Sequence, residues 1–196
     1  TARRGNVFGI LGMVLAIGAT FLEADFLEWS GAAQALIYGS VVIGGAVGAV
    51  LAVRVAMTAM PELVAILHSF VGLAAVFVGW SSYGNPVHPV EGAALTVHNV
   101  EIFIGVFIGA LTFTGSVVAW AKLNGRVSGK PLLLPHRHLI NLGAVLVSLG
   151  LLIGFVAASE GGFSGGGLFL LLLMSAISFG LGWHLVMAIG LSLIHI

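Results

Sequence analysis

The sequence contains no cysteine, which excludes disulfides, thiolate metal sites and thiol nucleophiles. Charge is nearly as scarce. Only 7% of the 196 residues are charged, seven basic and seven acidic, against roughly 25% in an ordinary soluble domain. The formal net charge is zero and no basic cluster is interleaved with aromatic residues, so nothing points to nucleic acid as a partner. No Gly-x-Gly-x-x-Gly motif follows a strand. Gly165 to Gly167 lack the Lys-Ser or Lys-Thr of a phosphate-binding loop and read as a flexible turn. No residue is assigned to a metal or to a bound cofactor.

What the chain has instead is apolar sequence, 59% of its residues, with a mean hydropathy of +1.16. Six runs approach or exceed the roughly 20 residues needed to cross a bilayer, at about 7–22, 32–53, 63–80, 93–121, 139–158 and 168–190. The expected fold is therefore all-α, a polytopic transmembrane helix bundle of six spans surrounded by membrane lipid. Thr1-Ala2-Arg3-Arg4-Gly5 before the first run imitates a signal peptide. Five further spans follow and no methionine precedes it, so the start reads as internal.

Small residues mark expected packing faces: Gly9, Gly12 and Ala16 in the first span, Gly44, Gly45, Ala46 and Gly48 in the second, Gly105 and Gly109 in the fourth. The second span is expected to be a buried helix of the bundle. Pro61-Glu62 suits the opening turn of the third, where a missing N–H costs nothing and a carboxylate meets the positive end of the helix dipole. Residues 81–92 read as a polar loop containing a solvated His88, residues 122–138 as the longest polar connection, and the fifth span as almost featureless. Alternating the six spans puts Arg3, Arg4, Arg54, Lys122, Arg126, Lys130 and Arg137 on one side, and Glu23, Asp25, Glu28, Glu91 and Glu160 on the other. By the positive-inside rule both ends are then cytoplasmic.

Ionisable residues inside spans are costly and point to function. His98 and Glu101 are three apart, on one helix face, where a proton can be shared or passed. His68 and Ser69 lie about a turn from the middle of the third span, and His184 lies in the sixth with Ser175 and Ser178. Thr112, Thr114 and Ser116 either pack or line a wet path. His98 and Glu101 fall in the outer half, while His68 and His184 sit slightly inward, a spacing that suits stations on a proton route. Histidine fits because its unperturbed pKa of about 6.5 lets it load and unload near neutral pH. The residues alone leave three readings open: a redox-linked proton translocator, a transporter or channel without redox chemistry, and a haem carrier using His68 and His184 as axial ligands.

Three stretches narrow the choice: residues 57–75, MTAMPELVAILHSFVGLAA; residues 105–138, with Thr112-Phe113-Thr114-Gly115-Ser116 and Lys130-Pro131-Leu132-Leu133-Leu134-Pro135; and Gly182-Trp183-His184-Leu185. Over residues 4–190 the sequence resembles the membrane domain of the proton-translocating NAD(P) transhydrogenase beta subunit. The resemblance implies hydride transfer from NADH to NADP+ coupled to proton movement across the inner membrane. His98 matches the family's channel histidine. His68 and Ser69 fall in a segment whose second copy, with asparagine for the histidine, belongs to a part of the family protein absent here. Residues 122–138 would face the family's own C-terminal NADP(H)-binding domain, and the NAD(H) site would belong to an alpha subunit in a dimeric assembly. Both nucleotides would therefore bind outside this chain. His136 departs from the small or amide residue expected before the Arg-His pair. The family has a further span before Arg3, further spans and the NADP(H) domain after Gly190, and continues there as Gly-Ala-Asp-Met-Pro. Residues 1–190 are accordingly expected to be part of the proton-translocating domain, and residues 191–196 a non-native tail resembling adaptor read-through, which sets His195 aside.

Overall fold

The computed structural model describes residues 2–22, 29–85 and 91–191, with side chains from Arg4 onward. The acidic turn at 23–28, His88 and residues 192–196 lie outside the described residues. The chain forms two compact units, Thr1–Val55 and Ala56–Ile196. Six helices are long and apolar enough to cross a membrane, so the six-span, all-α expectation holds.

The first unit holds α1 (Ala2–Phe21) and α2 (Gly31–Arg54). Ser30 caps α2 by accepting the Ala33 N–H at 3.3 Å, and Phe21 and Tyr38 meet with ring centroids 4.7 Å apart. No residue of α2 is buried, and a Cβ added at Gly44, Gly45 or Gly48 would meet nothing within 4 Å. Within its own unit the expected burial of the second helix is not seen. The stripe of small residues is present, but no other helix of its own unit covers it.

The second unit holds α3 (Met60–Gly84), α4 (Gly92–Leu123), α5 (Arg137–Ala158) and α6 (Gly165–Met187), with a 3-10 turn, Met57–Ala59, leading into α3. Pro61 and Glu62 occupy the first turn of α3 as the sequence suggested. Ser164 caps α6 by accepting the Gly167 N–H at 2.9 Å. At 32 residues α4 is about 48 Å long against a hydrocarbon core of about 30 Å, so it tilts or protrudes. It is also the central strut, packing against α3, α6 and α5.

Glycine sets how closely α4 is approached. A Cβ on Gly72 would fall 2.7 Å from the Gly109 carbonyl oxygen, and one on Gly109 would fall 2.8 Å from that of Gly72. On the α6 side, Gly182 rests against the Leu111 carbonyl and Thr114, and Gly115 against Val186. Backbones touching in this way gain dispersion contacts that larger residues would prevent, which matters in lipid because little hydrophobic drive is left between helices. Gly105, the other half of the expected pair, faces open space. The core around these contacts consists of Val76, Tyr83, Ile102, Phe103, Val106, Ala110, Phe155, Leu171 and Met174. Most remaining large apolar side chains are exposed, as a lipid-facing surface requires.

Three assigned boundaries change, the first being that Gly165 to Gly167 open α6 instead of forming a flexible turn. Residues 81–84 continue α3 rather than starting a loop, which carries Tyr83 into the core. Lys122 is not loop but the buried last turn of α4. At Tyr83 and Lys122 a polar residue looked like the end of a span because its hydrogen-bond partners lie 64 to 81 residues away in sequence, invisible to a local reading. The fifth helix is not featureless either, since Ser148 is buried and Asn141 has a buried carbonyl oxygen.

Candidate functional site

His98 lies in the second turn of α4, half-buried. It borders a cleft of about 30 Å³, enough for one water molecule, lined also by Ser82 and Tyr83 from α3, Asn99 and Ile102 from α4, and Phe163 from the α5–α6 turn. Polar groups collect behind this cleft. Asn99, 2% exposed, donates through Nδ2 to the Ser159 carbonyl at 3.3 Å. The Tyr83 hydroxyl lies 2.8 Å from Ser159 Oγ and accepts the Ser164 N–H at 3.1 Å. Ser164 Oγ donates in turn to the Ala158 carbonyl at 2.7 Å. Helices α3 and α4 and the α5–α6 turn are thus tied together beside His98 by a connected polar network, with the edges of Tyr83, Phe103 and Phe155 packed beneath it.

Glu101 is exposed, a turn further along α4, and no hydrogen bond or ion pair joins it to His98 among the described residues. Ser69 is 1% exposed and donates to the Ile66 carbonyl at 2.7 Å, a back-bond to its own helix, while the adjacent His68 is exposed. With Gly72 opposite Gly109, Ser69 stands level with the stretch from Thr112 to Ser116, about 25 Å along α4 from His98. His184 lies at a similar depth on the other flank of α4, its ring covered, because Gly115 meets Gly182 and Val186. The five candidate residues therefore fall into two levels, His98 with Glu101 at one and His68, Ser69 and His184 at the other. One exposed and one covered histidine do not make the facing pair that axial haem ligation needs.

The hydroxyls along α4 and α6 are mostly spent locally. Thr114 donates to the Ala110 carbonyl at 3.2 Å, Ser175 to the Leu171 carbonyl at 2.7 Å and Ser178 to the Met174 carbonyl at 2.9 Å. Ser175 Oγ also accepts the Trp80 indole N–H at 3.2 Å.

Lys122 is the polar residue that local reading misplaced most. It is 4% exposed, and its Nζ donates to the carbonyls of Val186, Met187 and Ile189 at 3.1, 2.9 and 2.7 Å. Those carbonyls lie at and just past the end of α6, where the helix's own i+4 donors run out, so a cation from α4 caps a neighbouring helix and meets the negative end of its dipole. The connection that follows docks at the same place: Leu132 N–H donates to the Met187 carbonyl at 2.8 Å, and Leu191 N–H to the Gly129 carbonyl at 3.0 Å. Nearby, Asn124 Nδ2 donates to Glu62 at 3.0 Å, and the Arg126 guanidinium lies 4.8 Å from the Trp120 ring centroid.

The described residues are helices joined by short connections, with no strand leading into a glycine-rich turn, and the longest described connection runs only from 124 to 136.

The family described as NAD(P) transhydrogenase beta subunit matches residues 1–194. Two curated relatives, both NAD(P) transhydrogenase subunit beta from Rhodospirillum rubrum, one of them from strain ATCC 11170, are 43% identical over 141 residues. That alignment covers 70% of this chain and 29% of each relative, so the chain spans under a third of their length. With six membrane-spanning helices and a match along nearly all of its sequence, the chain belongs to the NAD(P) transhydrogenase beta subunit family and is a multi-pass protein of the inner membrane.

Proposed function

We propose that these helices form part of the proton-conducting region of a transhydrogenase, in which proton movement is coupled to hydride transfer from NADH to NADP+. The observation that carries this reading is His98, half-buried on the central helix and bordering a water-sized cleft backed by Tyr83, Asn99 and Ser159. An imidazole in contact with one water and fixed surroundings can accept a proton from one neighbour and pass it to another. Glu101 assists as a nearby carboxylate at the mouth of the path. Ser69, His68 and His184 are the candidates for the second level, where further helices would complete the route.

In this proposal both nucleotides bind elsewhere: NADP(H) on a C-terminal domain of the same protein, NAD(H) on an alpha subunit, within a dimeric assembly. The end of the second unit that bears Lys122, Arg126, Lys130 and Arg137 faces the cytoplasm, as do both ends of the chain, which matches the excess of basic residues expected there. That end is also where the NADP(H) domain docks.

The test is His98→Ala in the full-length protein, reconstituted with its partner in vesicles. Proton pumping and coupled hydride transfer are expected to fall together by at least about 100-fold, the lower range for removing an acid–base group. Pumping at the wild-type level would end the assignment.

A further inference from the structure

His184 is 7% exposed, yet neither Nδ1 nor Nε2 has a hydrogen-bond partner. Oδ1 of Asn141 is the third buried side-chain atom left unpaired among the described residues. Such orphans are rare in folded proteins, and an imidazole has to satisfy both nitrogens, one as donor and one as acceptor when neutral.

The two residues are placed to share a solution. Helices α5 and α6 are antiparallel neighbours, and a Cβ at Gly154 would lie 3.4 Å from Leu170. Asn141 is thirteen residues back from Gly154 and His184 fourteen on from Leu170, so the two differ in height by about 1.5 Å. Their faces agree as well. Asn141 follows the heptad spacing of Ser148 and Phe155, the two buried residues of α5, and His184 lies two heptads beyond Leu170 on the stripe that meets α5. Because the chain's own atoms already cover all three orphaned groups, their partner must be small, and it must both donate and accept.

We propose that Asn141 and His184 hold buried water in the α5–α6 seam, a hydrated polar site near the end of the unit that carries Lys122 and Arg137. It is separate from the cleft at His98, some 25 to 30 Å away along the helices. As a water site it needs nothing from the proton-translocation reading and is tested without it.

The experiment is radiolytic hydroxyl labelling of the whole chain in detergent micelles, read residue by residue by mass spectrometry. Brief irradiation generates radicals from bound as well as bulk water, so a covered side chain beside trapped water reacts. His184 is expected to be labelled within roughly threefold of the exposed His68, and Asn141→Leu, which removes a water ligand, should cut His184 labelling about fivefold or more while leaving His68 unchanged. If the leucine variant does not fold, Asn141→Ala replaces it with the same expectation. Labelling of His184 no faster than that of the fully buried Phe155 would overturn the proposal. So would a rate that neither variant changes.

Discussion

The hydroxyl of Tyr83 is shared between Ser159 and Ser164. Tyr83→Phe would keep the ring contacts with Phe155 and Phe163 but leave a serine hydroxyl and a backbone N–H unpaired, at a cost of about 1–3 kcal/mol. Denaturant titration in micelles should show that loss, and the His98 cleft should widen with it. A variant as stable as the parent would mean that water takes over the bonds. His98 was legible in the sequence because a titratable group in an apolar run stands out wherever it sits. Tyr83 and Lys122 were not, because each lies at the end of a run and looks like the start of a loop. What makes them part of the core is the position of Ser159, Ser164 and the α6 carbonyls, which are 64 to 81 residues away in sequence.

At the scale of elements, the number of spans followed from apolar runs alone, since a bilayer fixes the minimum length of a span. Which faces meet did not follow. Gly105 and Gly109 carry the same local signal, a small residue four from another, yet only Gly109 touches a neighbouring backbone. Two substitutions separate them. Gly109→Ala drives a methyl group toward the Gly72 carbonyl and should destabilise the α3–α4 pair by about 1–3 kcal/mol, whereas Gly105→Ala meets nothing and should be neutral or stabilising by up to about 1 kcal/mol, as expected for glycine replaced in a helix. Equal effects in unfolding titrations would contradict the close approach. The helix starts show a similar split. Pro61 was readable as an opening residue, whereas Ser164 was not singled out and its capping role emerges only from the structure. His136, by contrast, precedes α5 with φ 59°, the left-handed region that favours glycine and asparagine. The small or amide residue expected at that position has its physical reason there.

At the scale of the whole molecule, the described residues are helices with short connections and no strand leading into a glycine-rich turn, and orienting two nicotinamides is the protein's share of hydride-transfer chemistry. The isolated chain is therefore expected to show no saturable NADPH binding by calorimetry or fluorescence and no transhydrogenation; tight binding would reveal a nucleotide site among these helices. The two relatives are over three times as long as the stretch they share with it, which leaves ample sequence for nucleotide domains elsewhere. Sidedness can be read from a feature already described. The chain has two lysines, and one of them has given all three of its ammonium protons to the carbonyls that end α6. An amine bound in that way offers no lone pair to an acylating reagent, while Lys130 is exposed on the adjoining connection. A membrane-impermeant succinimidyl ester should modify Lys130 at least about tenfold faster than Lys122, since the latter must wait for local opening. Comparable modification would mean that the clamp is open much of the time. Lys130 thereby becomes a single-residue reporter: acylated in inside-out vesicles and spared in right-side-out ones, it would mark which compartment the α4–α5 connection faces.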